Sequence, residues 1–290
     1  GINQTNVFSV GEDITKAADP SNGSIQKLYA EDTNLNIFQE LKVSRALIDK
    51  DAIYSAEGGG TVTASNLVIG VIQPYAGKYG ISKNPESFAV YGYRKYFTDA
   101  SQGAVLRLSR DGITEISANG MYDFFRDQLG VLSSGKAVGG YDIHNKCYTL
   151  SLQPASGSVP TQTLSFDESI KGWSSRYSYK PSNMFSVQNN FYSTVTSAEK
   201  QEIHASTGVQ IGDIFQHYSN NVNRANFYTT QYVSQIKSIF NANPSVIKTF
   251  QTINYEGAPN WSMTSFVTNE DQANSIGVFN ILTSSFILTE

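Results

Sequence analysis

The sequence predicts a mainly β protein with a few short helices, built either as a β-propeller or as a series of β-hairpins. From Val138 onward, short strand-like runs follow one another at close intervals, and a turn signal separates each from the next. Charged residues make up only 16% of the chain, so Ser, Thr, Asn, Gln and Tyr must cover much of its surface. We favour the propeller because its blades place a hairpin, a Trp-containing strand and an outer strand in this succession, although no repeat period is readable.

The chain of 290 residues is long enough for one large β domain or two ordinary ones. We predict an extended N-terminal segment with the first strands over residues 1–66, and a β-rich, propeller-like domain that need not be complete over residues 67–290. The missing start methionine and the strand-like last residues lead us to expect a segment or processed piece of a longer polypeptide.

The N-terminal segment contains a loop at Ala18–Ser24 and then the run "NLNIFQELKVSRALI", which alternates like a strand in its first half and is ambiguous later. A triple-glycine loop follows at Gly58–Gly60. Beyond it, the apolar run Leu67–Ile72 predicts a buried strand that Pro74 should end.

The next stretch predicts a short helix. Asn84 is a good N-cap residue, Pro85 suits the first helical position, and Glu86 places an acid in the first turn. The helix should continue through Val90 and end at Gly92, which allows about two turns, too few to stand alone.

Hairpins and one longer helix are predicted after this point. The run "AVLRLSRDGITEIS" should form a hairpin that turns at Arg110-Asp111-Gly112. The next run predicts a helix that ends at Gly130 and has an apolar face made of Met121, Phe124, Phe125 and Leu129. A second hairpin should turn at His144-Asn145-Lys146. Further strands are predicted in "TQTLSFDES", "WSSRYSYKPS", "MFSVQNNFYST" with a turn at Asn189-Asn190, "GDIFQHYS", "TTQYVSQIKSIFNANPSVIKTFQTINYEG" with a loop at Asn241–Pro244, and "NYEGAPNWSMTSF".

Charge and cysteine content exclude several classes. A net charge of −4 and a pI near 5.5 give no overall attraction to phosphates or anionic lipid, and no basic run is present. The single Cys147 excludes an internal disulfide and a cysteine-based zinc site. No apolar stretch is long enough to span a membrane.

We find no motif that predicts catalysis or a cofactor. Gly58–Gly60 lacks the strand, helix and lysine of a phosphate-binding loop. His144, His204 and His217 are widely separated and lack zinc-type spacing, and Cys147 lies within a hairpin strand without a nucleophile motif. We therefore assign no catalytic, cofactor-binding or metal residue.

Two groups of side chains have both a functional and an ordinary interpretation. The carboxylate pairs Asp167-Glu168, Asp123/Asp127 and Glu270-Asp271 could serve a hydrolase, but turns and a polar helix face explain them as well. The cluster Tyr91, Tyr93, Arg94, Lys95, Tyr96 and Phe97 could stack bases or sugars, but such clusters more often form a core edge or a subunit contact.

Several long blocks resemble virion structural proteins of tailed bacteriophages, from the tail, baseplate or muzzle region of crAss-like phages and marine myoviruses. The blocks are "LYAEDTNLNIFQELKVSRALIDKDAIYSAEGG", "PYAGKYGISKNPESFAVYGYRKYFTD", "GAVLRLSRDGITEIS", "GWSSRYSYKPSNMFSVQNNFYS" and "FNANPSVIKTFQTINYEG", and they cover most of residues 28–262.

The resemblance implies a non-enzymatic building block of a symmetric, multi-copy tail assembly, made in the host bacterial cytoplasm. Its expected partners are other virion proteins and copies of itself, with contact to the host surface as an option and no direct nucleic-acid readout. A receptor- or glycan-binding module of the tail is the alternative, and a cell-wall hydrolase would need two facing acids in a cleft.

Overall fold

A computed structural model of the chain describes residues 15–48, 69–132, 134–155, 159–195, 213–239, 243, 245–246, 262–263 and 279–280. The chain divides into two compact units, Gly1–Ser234 and Gln235–Glu290. The predicted boundary at residues 66 and 67 falls outside the described residues, as does the glycine loop Gly58–Gly60, and both stay predictions.

Antiparallel strands that follow one another in sequence build the sheets of the first unit. The first sheet contains β1 (Ile25–Glu31), β2 (Asn34–Gln39), β3 (Val43–Leu47) and β4 (Ile72–Pro74). The second contains β5 (Ala89–Tyr91), β6 (Arg94–Asp99), β7 (Ala104–Ser109) and β8 (Gly112–Glu115), and it is followed by the helix α1 (Tyr122–Gly130). The third contains β9 (Lys136–Asp142), β10 (Cys147–Gln153), β11 (Gln162–Asp167) and β12 (Gly172–Tyr177).

Shorter elements complete the two units. A fourth sheet contains β13 (Pro181–Val187), β14 (Asn190–Val195) and β15 (Ile214–Gln216), and β16 (Asn226–Phe227) pairs with β17 (Thr230–Gln231). In the second unit, β18 (Ser262–Met263) pairs with β19 (Phe279–Asn280). Single 3₁₀ turns lie at Pro20–Asn22 and Pro85–Ser87.

The predicted mainly β, multi-hairpin architecture is confirmed, but the propeller is not supported: the described residues form neither a propeller nor a closed barrel. Alternation and turn spacing report the pairing of strands inside each hairpin. Closure of blades into a ring depends on contacts between sheets, and these leave no comparable pattern in a single sequence.

Apolar side chains from neighbouring sheets share common cores. Phe38 of β2 and Phe97 of β6 pack together between the first and second sheets. Tyr96 of the second sheet and Leu150 of the third meet Phe125 of α1 in the largest cluster. Because each sheet is covered by the next, the hairpins are stabilised by packing between sheets as well as by their own hydrogen bonds.

The predicted helix at Asn84 is wrong beyond its first turn. Asn84 makes no capping hydrogen bond through its side chain, and the helical turn stops at Ser87. Phe88 is already extended, with φ −70° and ψ 126°, and the chain continues directly into β5. Pairing of β5 with β6 satisfies more backbone groups than a second isolated helical turn would, so tertiary context overrides the N-terminal signal.

The strand predicted over Leu67–Ile72 differs at its described end, while Leu67 and Val68 lie outside the described residues. Val71 is exposed, and the strand that forms, β4, includes Pro74 opposite Ser44. β4 lies at the edge of its sheet, where a residue without an N–H donor is tolerated.

The other described elements follow the prediction closely. β7 and β8 form the predicted hairpin, β9 and β10 flank the predicted turn at His144–Lys146, and α1 buries Phe125 and Leu129. The turn before β14 lies at Gln188-Asn189, one residue earlier than predicted. Strand structure after Thr229 is shorter than predicted, since β17 ends at Gln231 and residues 232–239 have no regular structure.

Candidate interaction surface

The aromatic and basic cluster at residues 91–97 begins on a hairpin loop. β5 and β6 pair with Tyr91 opposite Arg94, so Gly92 and Tyr93 form a two-residue loop. Gly92 has a φ of +56°, a left-handed conformation that glycine adopts without a steric penalty at the first position of such loops. The glycine predicted to end a helix therefore turns a hairpin.

The fold separates the cluster into an exposed half and a buried half. Tyr91 is 38% exposed and Tyr93 is 44% exposed, while the neighbouring Arg94 is half-buried. Lys95, Tyr96 and Phe97 are buried in the core. Only the first half of the predicted cluster can therefore meet a partner.

Lys95 is a buried charge whose ammonium has partners inside the chain. Its Nζ bonds to the Glu31 carboxylate, donates to the Tyr93 carbonyl oxygen at 3.1 Å, and lies 5.7 Å from the centre of the Tyr29 ring. A buried ammonium needs such compensation because its desolvation is costly. Lys95 therefore joins the second sheet to the first and is not available to a ligand.

Tyr96 has a comparable structural role toward the third sheet. Its ring stacks on Tyr148 with centroids 4.9 Å apart, and its hydroxyl donates to Glu168 at 2.8 Å. Burial raises the pKa of Tyr96, and the hydrogen bond to Glu168 raises it further. Glu168 also accepts from Arg107 at 2.8 Å. This acid of the predicted pair Asp167-Glu168 is thus held by the neighbouring sheet.

Beside the exposed half lies a groove of about 380 Å³, bounded by the edge strands β5, β9 and β13. Tyr91 lines it from β5, Tyr141 from β9, and Met184 and Phe185 from β13. The Tyr91 and Tyr141 rings stack with centroids 4.1 Å apart and an angle of 6° between their planes. The groove therefore offers an aromatic wall supported from behind by a second ring.

Two glycines of β9 allow a close approach by the 3₁₀ turn before β5 and by β13. A Cβ at Gly139 would lie 2.0 Å from the Ser87 carbonyl oxygen, and one at Gly140 would lie 2.5 Å from Met184 Cβ. Ser186 Oγ adds a polar link, because it donates to the Tyr141 carbonyl oxygen at 2.6 Å. The groove is thus shaped by a close contact between sheets that only glycine permits.

Two arginines lie against the ring of Tyr93. The Arg94 guanidinium carbon is 5.5 Å from the ring centre, and that of Arg110 is 4.9 Å away. The strand register explains this arrangement: Lys95 pairs with Leu108, so two residues further along, Tyr93 comes opposite Arg110. The hairpin loops before β6 and after β7 therefore present a joint aromatic and basic surface.

The described histidines and Cys147 lie in different parts of the fold and do not form a common site. His217 is buried, its Nε2 lies 2.6 Å from Ser193 Oγ, and burial lowers its pKa to about 4. Burial raises the pKa of Cys147 to about 12, so its thiol stays protonated at neutral pH. His144 is exposed and stacks on Tyr218 with centroids 4.4 Å apart, whereas His204 lies outside the described residues.

The two carboxylate pairs in the described part of the chain do not face each other in a cleft. On α1, Asp123 and Asp127 both bind Arg126, at 2.6 and 2.9 Å. Asp167 accepts from the backbone and hydroxyl of Ser169, each at 2.7 Å, while Glu270-Asp271 lies outside the described residues. In the described ranges, no group of three or more His, Cys, Asp or Glu side chains could hold a metal ion.

The cluster predicted from the sequence contains Tyr91, Tyr93 and Arg94 but not the residues that contact them or line the groove from other strands. The sequence pattern predicts Arg110 only as a turn residue, whereas the register between β6 and β7, extended by two residues, places it opposite Tyr93. The consecutive Gly139 and Gly140 inside a predicted strand were a signal of close backbone approach. No local pattern indicated Met184 or Phe185.

Comparison with known proteins finds a family match in the C-terminal part of the chain. Residues 222–285 match the family model described as the Crassvirus muzzle protein C-terminal domain. The match confirms the resemblance to crAss-like phage proteins that the longer sequence blocks indicated. No curated protein matches the chain. None of the helices in the described part of the chain is long and apolar enough to cross a membrane.

Proposed function

We propose that this chain is a non-enzymatic structural component of a phage virion, one building block of the tail apparatus in a symmetric, multi-copy assembly. The observation that carries the proposal is the match of residues 222–285 to a muzzle protein domain. That likeness supports a position in the tail, baseplate or muzzle of the virion, and we expect synthesis in the host bacterial cytoplasm.

The exposure of apolar side chains in the matched region supports an assembly role. Val233 is 83% exposed, Ile236 73% and Ile239 82%. Scattered apolar residues are common on protein surfaces, but here three β-branched residues follow one another at a spacing of three. Contact with other virion proteins or with copies of this chain would remove this apolar surface from water.

Purified virions provide the test. Mass spectrometry should find the chain in the particle, and a cryo-EM reconstruction should show several symmetry-related copies in the tail region with residues 232–239 at a contact between chains. A particle that lacks the chain, or a reconstruction with residues 232–239 facing solvent in every copy, would contradict the proposal.

The groove beside Tyr91 favours a second candidate function, a receptor- or glycan-binding module. An exposed tyrosine face backed by Tyr141 is a suitable platform for a sugar ring. In that case Tyr91→Ala should abolish binding to host cells or purified surface glycan, while Tyr122→Ala, at an exposed tyrosine on α1, should leave it intact. Equal binding by both variants would exclude the groove as the receptor site.

A further inference from the structure

The surface formed by Tyr93, Arg94 and Arg110, here called the arginine–tyrosine patch, carries two arginine side chains beside an exposed ring. In the described part of the chain, neither the Arg94 nor the Arg110 guanidinium has a carboxylate oxygen within 4.0 Å. Tyr93 is 44% exposed, and Arg110 is exposed as well. The patch therefore places two permanent cations on an accessible aromatic ring.

The adjacent arginine is different. Arg107 binds Glu168 at 2.8 Å and lies 3.8 Å from Asp111. Asp111 accepts a hydrogen bond from Ser109 in its own turn. The two nearby carboxylates thus pair most closely with Arg107, while their charges act on Arg94 only from a longer distance.

The geometry of the patch suits a carboxylate ligand. A guanidinium that lies against an aromatic ring keeps its N–H groups free at the edge, where they can form two parallel hydrogen bonds to a carboxylate. The two-residue loop at Gly92-Tyr93 and the turn after β7 hold both arginines on short, hydrogen-bonded connections. Less side-chain and loop freedom is therefore lost when a ligand binds.

We propose that the arginine–tyrosine patch binds a carboxylate-bearing surface of a second copy of this chain. Charge complementarity selects this occupant, because the chain carries 25 acidic and 21 basic side chains and so has a net charge of −4. Two arginines that form no ion pair within 4.0 Å among the described residues are attracted to the acidic side chains that are in excess on the surface of another copy. The inference rests on the proposed assembly function and assigns one of its contacts.

Arginine beside an exposed aromatic ring also occurs in single-stranded nucleic-acid sites. Affinity for nucleic acid depends mainly on the number of phosphates that are neutralised, however, and the chain as a whole is acidic. The protein partner is therefore the better match, and nucleic-acid binding becomes an outcome of the test.

The test is self-association of the full chain, measured by sedimentation equilibrium at low and at moderate salt. The wild-type chain should associate, and its affinity should fall as salt increases. The Arg94→Glu/Arg110→Glu double variant should associate at least tenfold more weakly and lose most of this salt dependence. Arg176→Glu is the matched control, because Arg176 is also exposed and lies 5.5 Å from the centre of the Phe124 ring; it should behave like the wild type.

Three outcomes would overturn the inference: a wild-type chain that stays monomeric, a double variant that associates like the wild type, or a wild-type chain whose patch binds a single-stranded oligonucleotide. The proposed virion function can fail separately. If purified particles contain the chain in several copies while the double variant still associates normally, the assembly role stands and only the assigned contact is wrong.

Discussion

Strand β10 and the segment 232–239 both contain aliphatic and aromatic residues among small polar ones, yet they have opposite surroundings. All seven residues of β10 are buried. In the other segment, every residue from Val233 to Ile239 is exposed. β10 lies between β9 and β11, and the second sheet and α1 contribute to the core that contains Leu150. The segment 232–239 has no regular structure and no comparable cover.

The difference shows which contacts the chain supplies itself. Full burial of an Ile or Leu side chain contributes about 1.5–3 kcal/mol, so β10 receives its stabilisation when the chain folds. For Val233, Ile236 and Ile239 the same contribution is still available to a partner. Substitutions in the two regions should therefore differ in kind: those in β10 should affect folding, and those in the segment should affect association.

The largest effect is expected from Leu150→Ala in β10. The side chain is fully buried, so its loss should lower the free energy of unfolding by about 3 kcal/mol through lost transfer energy and the cavity that remains. Val233→Ala removes apolar atoms from an exposed position and should change it by less than about 0.5 kcal/mol. Urea unfolding of both variants, followed by circular dichroism, measures the contrast. Similar losses in both would show that the segment is packed in solution.

A second effect should appear as a dependence of stability on pH. Burial lowers the folded-state pKa of His217 to about 4, whereas in the unfolded chain it is about 6.5. The unfolded state therefore binds the proton more tightly, and the neutral imidazole's contribution is complete above pH 6.5. It should decrease as the pH falls through 6.5 toward 4, by up to about 3 kcal/mol.

His217→Gln provides the control for this pH effect. The glutamine has no proton to bind in this range, so the difference in unfolding free energy between wild type and variant should shrink as the pH falls from 7 to 4. Urea titrations at several pH values measure it. Parallel stability curves for the two proteins would mean that His217 titrates normally and is not sealed from water.

Gly139→Ala should destabilise the core around β10 by about 2 kcal/mol. Gly139 pairs with Leu150, and its added methyl group would meet the Ser87 carbonyl oxygen at 2.0 Å and the Tyr148 hydroxyl at 2.9 Å. Since the Ser87 neighbour is backbone, the 3₁₀ turn Pro85–Ser87 and β9 must move apart. The control is Gly130→Ala, at the end of α1, where a Cβ would meet nothing within 4 Å. Thermal unfolding should separate the two variants; equal melting temperatures would show that the sheets tolerate a wider spacing.

Sequence patterns predict the hairpins because the two strands of a hairpin and the turn between them are adjacent in sequence. Alternation and turn residues located β7 with β8 and β9 with β10. The same local approach failed at Asn84, whose N-cap signal competes with the pairing of β5 and β6, and at Pro74, whose position at a sheet edge depends on a partner strand far away in sequence. Strand pairing over a distance decides such cases, and one sequence does not reveal it.

The part of the candidate surface that is contiguous in sequence could be predicted, and the part that comes from other strands could not. Tyr91, Tyr93 and Arg94 are close in sequence, so the sequence alone predicts them as one cluster. Arg110 and Tyr141 join them through strand register and sheet packing, so their roles became visible only with the fold. The burial of Lys95 likewise depends on Glu31, which lies in the first sheet.

The smallest effect on stability and the clearest effect on association should come from Val233→Ser/Ile236→Ser/Ile239→Ser. These side chains are 83%, 73% and 82% exposed, so making them polar removes little buried surface and should change the free energy of unfolding by less than about 0.5 kcal/mol. Incorporation into particles, measured as copies per virion by quantitative mass spectrometry, should nevertheless fall at least tenfold, because the apolar contact with a partner is lost. Ser234→Ala/Ser238→Ala, at exposed positions between them, should assemble normally. A triple variant that unfolds more easily but assembles fully would reverse the comparison with β10, since the segment would then belong to the core of the chain and not to a contact between chains.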